Sequence, residues 1–270
     1  MVTITKGFVD IHCHLLPNID DGASSEEEAI RMATAAVDEG ISHIIVTPHQ
    51  LGAYRQNSSA IIRETTSRLQ ADIADAGLPL EILPGADVRI EPDMVQLLQE
   101  DEVVTLADQK GYVLLELPHD VYFPLEPLLQ QLHAINLVGV LSHPERNRGI
   151  QANPAVVQRL VDAGALMQIT CGSLTGEFGK TPKQLSERLL ENRLVHFVAT
   201  DAHGTGRRRP AMIDAFDRVT ELTDRRTADR LFRENPRQVW ENGVVDIKLP
   251  IVPQKRSLFG LWRSSKLAAR

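Results

Sequence analysis

His12 and His14 stand two positions apart in FVDIHCH, residues 8–14, at the end of an apolar, β-branched run. Side chains alternate across a strand, so these imidazoles share one direction while Cys13 takes the other. The rest of the chain supplies groups that answer them. Asp20 and Asp21 follow in the next turn, His49 ends HIIVTPH, and Asp87 lies in EILPGADV. Glu116 lies in YVLLEL, His143 in VGVLSHP, and Asp201 and His203 come directly after VHFVAT. A histidine or carboxylate thus closes six of seven similar runs. Gathering so many of them without cations would bury unpaired charge. Nitrogen and carboxylate donors without paired thiolates suit Zn, Mn or Fe(II) in a catalytic centre. Such ions lower the pKa of a bridging water toward neutrality and provide a hydroxide nucleophile. Asp21 is preferred as a ligand over Asp20, which is read as its neighbour. His43, His119, His133 and His196 are assigned structural or surface roles, with His119 near the rim.

Arginines indicate the substrate. SHPERNRG puts Arg146 three residues after His143, and DAHGTGRRRP puts Arg207, Arg208 and Arg209 just past His203. Guanidinium groups beside a metal cluster suit bidentate binding of phosphate, which favours a phosphoester over an amide. Two other phosphate chemistries fail on spacing. GEFGKT lacks the leading glycine of a phosphate-binding loop, because Leu174 stands there. Neither cysteine is followed by arginine at the sixth position, where a cysteine-nucleophile phosphatase needs one: Ile19 and Glu177 occupy those places.

These groups need a scaffold that brings strand ends together. Between the apolar runs lie amphipathic stretches such as SSEEEAIRMATAAVDEG, which opens on a capping box (Ser24 with Glu27, or Ser25 with Glu28) and closes at Gly40. Strand and helix alternate about seven times, the pattern of parallel β with helical crossovers. Polar residues recur at nearly every strand end and no glycine-rich fingerprint follows the first, which favours a closed α/β barrel over an open sheet. In a barrel the strand ends converge on one face.

At 270 residues and 43% hydrophobic, the chain is read as one large domain. It has no apolar run long enough to span a bilayer, and MVTITKGFVD lacks the apolar core of a signal peptide. With only two cysteines, this predicts a cytoplasmic protein without a disulfide framework. A net charge of −7 argues against a nucleic-acid groove. The tail from Lys255 to Arg270 reverses that balance, carrying only basic charges with Phe259 and Trp262 among them. It is read as a loosely docked end, or as an anchor to an anionic membrane surface or acidic partner.

Together, DIHCHLLPNIDDG, LPGADVRI, VLLELP, LSHPERN, ITCGSLTGEFG, VATDAHG and ENPRQVW resemble the polymerase-and-histidinol-phosphatase (PHP) superfamily. Within it the chain is similar to the bacterial manganese-dependent protein-tyrosine phosphatases of capsule and exopolysaccharide operons, the CpsB/CapC/YwqE group. The resemblance runs from Phe8 to about Trp240. It implies a distorted (β/α)7 TIM-like barrel of the PHP type over residues 1–247, with residues 248–270 as a basic tail outside it. It also implies three ions, Mn(II) foremost with Fe or Zn as alternatives. One would sit among His12, His14, Asp87 and Asp201. A second would share Asp87 and add Glu116 and His143, and a third would take Asp21, His49 and His203. Arg146 and Arg208 match the family's phosphate-binding arginines, with Arg207 or Arg209 as substitutes for the second. Asp87 departs from the pattern, since the family has glutamate there. The implied substrate is a phosphotyrosine protein, the tail of a bacterial tyrosine kinase. A small phosphoester such as histidinol phosphate, or non-catalytic phosphotyrosine binding, are the competing readings.

Overall fold

The first strand of the structure, a computed structural model that describes residues 7–246, is the six-residue β1 (Phe8–Cys13), buried throughout. The remaining strands are β2 (Ile41–Val46), β3 (His49–Gln50), β4 (Glu81–Pro84), β5 (Asp87–Arg89), β6 (Tyr112–Glu116), β7 (Val138–Ser142), β8 (Leu166–Thr170) and β9 (Phe197–Ala199). All pair in parallel, as strands joined by helical crossovers must. They form a three-stranded sheet, β1-β2-β4, and a six-stranded sheet, β3-β5-β6-β7-β8-β9. Two of the seven expected runs are therefore each divided. Pro48 separates β2 from β3 and has no N–H to continue a ladder. Gly85 separates β4 from β5, and a Cβ there would stand 2.7 Å from the Ile45 side chain. At the other side, a bridge between Cys13 and Ala202 and the bonds Asp201 N–H to His12 O (2.7 Å) and His14 N–H to Ala202 O (2.9 Å) tie β1 to the segment after β9.

The helices behave as their sequences predict. The capping box expected before α1 (Glu26–Asp38) forms on Ser25, whose hydroxyl accepts from Glu28 N–H at 3.2 Å. The reciprocal contact is displaced by one residue, because the Glu28 carboxylate accepts from Ser24 N–H at 2.9 Å. Three glutamates in the first turn favour the helix dipole, and Gly40, at φ +78°, ends the helix. Among the described residues, no helix is long and apolar enough to cross a membrane. The tail from Lys248 onward lies outside the described residues.

A register shift between Asp10 and Cys13 sets the site. Ile11 belongs to an apolar cluster with Leu114, Val140, Leu166, Phe197 and Ala199. His12, its neighbour, bonds Gln168, which shares a face of β8 with Leu166. Adjacent residues of a regular strand cannot both face one interior. The bulge resolves this by re-aiming His12 and His14 inward above a dry floor while leaving Cys13 in the outer core. The expected alternation of His12, Cys13 and His14 holds, although it does not extend back through Ile11.

The histidines read as structural are placed accordingly, with His133 exposed on α2 (Glu126–Ala134). His43 packs edge-on against Trp240. His196 is buried, and its Nδ1 accepts from Met167 N–H at 3.0 Å, a bond only the neutral ring can accept. Burial, then the nearby charge of Arg230, pushes its pKa down from 6.5 to about 4. The unfolded chain therefore binds more protons between those values, and stability falls as pH drops from 6.5 toward 4. His196→Asn keeps an acceptor near Nδ1 but cannot titrate. Denaturant melts across this window should show a shallower acid loss for the variant, by up to roughly 3 kcal/mol.

Candidate metal centre

Each donor reaches the centre from the end of a strand. His49 pairs with Asp87 in the β3–β5 register, and Glu116 is the last residue of β6. His143 follows β7 in the left-handed region, at φ +32°. Asp201, just past β9, also has positive φ, +51°. Such backbone at non-glycine residues is uncommon and clusters at functional positions. His143 also opens the short 3-10 turn Pro144–Arg146, which carries the arginine.

The sequence-predicted residues meet. Nε2 of His12 is 3.2 Å from Nε2 of His14, 3.3 Å from Asp201 Oδ1 and 3.6 Å from Asp87 Oδ2. His49 Nδ1 is 3.6 Å from Asp87 and 3.7 Å from Glu116, while its Nε2 is 3.5 Å from Asp21. His203 lies 3.5 Å from that same Asp21 oxygen. Four overlapping donor groups result: His14, Asp21, His49 and His203; His12, His14 and Asp87; His12, His143 and Asp201; and His49, Asp87 and Glu116. The geometry thus groups His143 with His12 and Asp201, whereas the resemblance had joined it to Asp87 and Glu116.

Three features fit this cluster to a bound cation. Both Asp87 carboxylate oxygens are buried and accept no hydrogen bond. Two imidazole Nε2 atoms face each other at a distance that a shared cation relieves. Every group is built from histidine and carboxylate, and both cysteines lie buried outside them. Oxygen and nitrogen donors of this kind suit divalent cations. The protonation balance agrees. Burial holds His12 down at about 3, against the pull of Asp201, and His49 down at about 4. Burial also opposes charge on His14, yet Asp20 and Asp201 outweigh it and lift that pKa to about 10. Desolvation, then the neighbouring Glu116, pushes Asp87 well up. Asp201 is buried too, but His12, His14, Arg208 and Arg146 hold it well below the carboxylate range. Neutral His12 and His49 and an ionised Asp201 are the forms that can ligate a cation.

Groups around the donors fix their aim, and sequence reasoning found only some of them. Asp20, read as a neighbour, accepts from His14 Nδ1 at 2.7 Å and from His49 N–H at 2.9 Å. Gln168 faces His12 Nδ1 at 2.9 Å and was missed, because LMQIT reads as plain strand. Partners of this sort set the ring orientation and tautomer of a ligating histidine. Arg89, also missed, lies 3.2 Å from Glu116 and donates to Leu117 O at 3.0 Å.

A cavity of about 190 Å³ opens over the donors, lined by Asp21, His49, Glu116, His143, Asp201 and His203 on one side. Arg146, Arg208, Asn147 and the rim residue His119 complete it. Arg146 and Arg208 both bind Asp201 Oδ2, the latter at 2.7 Å. Arg207 is exposed and donates to Glu177 O, and exposed Arg209 lies 3.8 Å from Glu39. Of the three consecutive arginines, Arg208 alone lines this cavity. The arrangement can bind an anion between guanidinium groups and a cation cluster.

Comparison with known proteins finds relatives along nearly the whole chain. Residues 8–241 match the family described as capsular polysaccharide synthesis, CpsB/CapC. The tyrosine-protein phosphatase YwqE of Bacillus subtilis is 39% identical over 256 residues, covering 94% of this chain and all of that one. A chain from the crystal structures of YwqE and of CpsB from Streptococcus pneumoniae, metal-dependent tyrosine phosphatases, superposes with a TM-score of 0.84 at 37% identity. That match covers 91% of this chain and 100% of the other. The phosphotriesterase homology protein of Escherichia coli shares the fold, with a TM-score of 0.58 at 12% identity over 86% of this chain and 98% of its own.

Proposed function

This chain belongs to the CpsB/CapC family, and from that membership we propose that it is a metal-dependent protein-tyrosine phosphatase, a phosphoric monoester hydrolase acting on phosphotyrosine in a protein. The observation that carries the reading is the pairing of a histidine–carboxylate cluster with two arginines in the lining of one cavity. The phosphoryl group would lie between them, and the tyrosine ring would point out past the rim.

We assign His12, His14, Asp21, His49, Asp87, Glu116, His143, Asp201 and His203 as metal ligands. Their overlapping donor groups, without thiolates, support bound divalent cations; the family resemblance points to three ions, Mn(II) foremost with Fe or Zn as alternatives. Bound divalent ions would supply Lewis-acid charge and an activated water. The chain's own residues do the rest. Arg146 and Arg208 bind and orient the phosphoryl oxygens and neutralise charge that develops on them. Asp201 holds both guanidinium groups at the cavity. Asp20 and Gln168 keep His14 and His12 aimed through their Nε2 atoms. Asp87, shorter than the family's glutamate, sits close enough to His12 and His49 to serve both.

The two parallel sheets, tied by the Cys13–Ala202 bridge, support a distorted (β/α)7 barrel. We place the phosphatase domain at residues 1–247, in the cytoplasm, with the tyrosine-rich tail of a kinase of polysaccharide synthesis as its substrate. Supplied with Mn(II), the protein is expected to release phosphate from phosphotyrosine peptides far faster than from phosphoserine peptides or histidinol phosphate. Chelation should abolish that release. Faster turnover of histidinol phosphate would assign the site to small metabolites, and no turnover of any ester would leave only binding.

A further inference from the structure

The segment GEFGK, which only resembles a phosphate-binding loop, delivers a different part. Gly176 and Gly179 both have positive φ, +93° and +92°, and between them the chain turns from α3 (Cys171–Thr175) to α4 (Lys180–Glu191). That turn presents Phe178. The Arg146 guanidinium carbon lies 4.3 Å from the centre of the Phe178 ring, and that of Arg208 lies 5.8 Å from it. Phe178 does not line the main cavity; it lines the adjoining one, behind the arginines. We propose that Phe178 is a positioning residue, an aromatic seat that holds Arg146 and Arg208 side by side as one phosphate clamp. The inference rests on the phosphatase reading of that site.

The physical need is clear. Two guanidinium groups aimed at one point repel each other, and Asp201, which they share, is also claimed by the cation cluster. The negative face of an aromatic ring attracts both cations without competing for the hydrogen-bond donors that phosphate requires. The surroundings are shaped for that ring. A Cβ on Gly172 would meet its Cε2 at 2.8 Å, so glycine there leaves room for it. Glu145, next to Arg146, accepts from Thr170 N–H at 3.0 Å and from the Ser173 hydroxyl at 2.7 Å. That locks the turn carrying the first arginine to the segment leading to the ring. The Nε of Arg208 is buried without a hydrogen-bond partner, so its guanidinium is oriented through Nη2, which donates to Asp201, and through the ring beside it.

The test is inhibition of the Mn(II)-loaded enzyme by inorganic phosphate, read as Ki beside KM and kcat. Phe178→Leu should raise Ki and KM about tenfold, the size of a partly desolvated cation–π contact, with a smaller change in kcat. Phe178→Tyr should stay within twofold of the parent. Progressive fluorination of a phenylalanine incorporated at 178 drains the ring's negative face while keeping its shape, so it decides the matter even if the leucine variant folds poorly. Ki should climb with each fluorine. A flat series, or equal damage from leucine and tyrosine, would reduce Phe178 to packing and overturn the proposal. A parent enzyme that releases no phosphate from phosphotyrosine peptides would instead overturn the phosphatase reading, and the inference with it.

Discussion

Asp201→Asn is expected to leave an enzyme with fewer bound ions and at most about one-thousandth of the parent's turnover. The magnitude follows from how many partners the charge serves. Its Oδ1 lies 3.3 Å from His12, 3.5 Å from His14 and 3.6 Å from His203, while its Oδ2 holds both clamp arginines. An amide keeps the shape but removes the charge, and its nitrogen cannot accept from the groups it would face. Losing several kcal/mol of stabilisation at a metal centre corresponds to roughly 10³-fold or more in rate. Metal content by mass spectrometry and turnover of a phosphotyrosine peptide check this together. Parent-like values for both would remove Asp201 from the centre.

Arg146→Ala separates substrate binding from metal binding. Its guanidinium lines the cavity yet belongs to none of the donor groups. Ion content should therefore match the parent, while kcat/KM falls by roughly 10²–10³, the cost of deleting one preorganised donor to a charged transition state. Arg146→Lys should recover only part of this, because an ammonium is a point charge without a bidentate fork. Equal loss of metal in the alanine variant would show instead that the arginine props up the ligands.

Much of this centre could be read from the sequence because strand ends in a parallel fold share one side. That rule gathered His12, His49, Asp87, Glu116, His143 and Asp201 from six separate motifs, and the structure brings them together. It favoured Asp21 over Asp20 as a ligand, and the two are placed differently: Asp20 backs His14, whereas Asp21 faces His49 and His203. What it missed has a common cause. Gln168 and Phe178 act through the partner they touch, and nothing local marks a strand glutamine or a loop phenylalanine as touching anything in particular. The β1 bulge was equally hidden, because a register shift is a property of two strands. The division of two strand runs, by contrast, had its signals in plain view at Pro48 and Gly85.

The join between β1 and the segment after β9 bears on how the protein comes into being. Asp10 meets Thr200 across 190 residues of chain, and His12 meets Asp201 beside it. Contacts this remote in sequence cost the most loop entropy and arrive late in folding. A nascent chain leaving the ribosome would thus carry its first two imidazoles for most of translation without Asp201 and His203, which close two of the four donor groups. The full donor set, and the arginines that Asp201 holds beside it, therefore come together only in a nearly finished polypeptide.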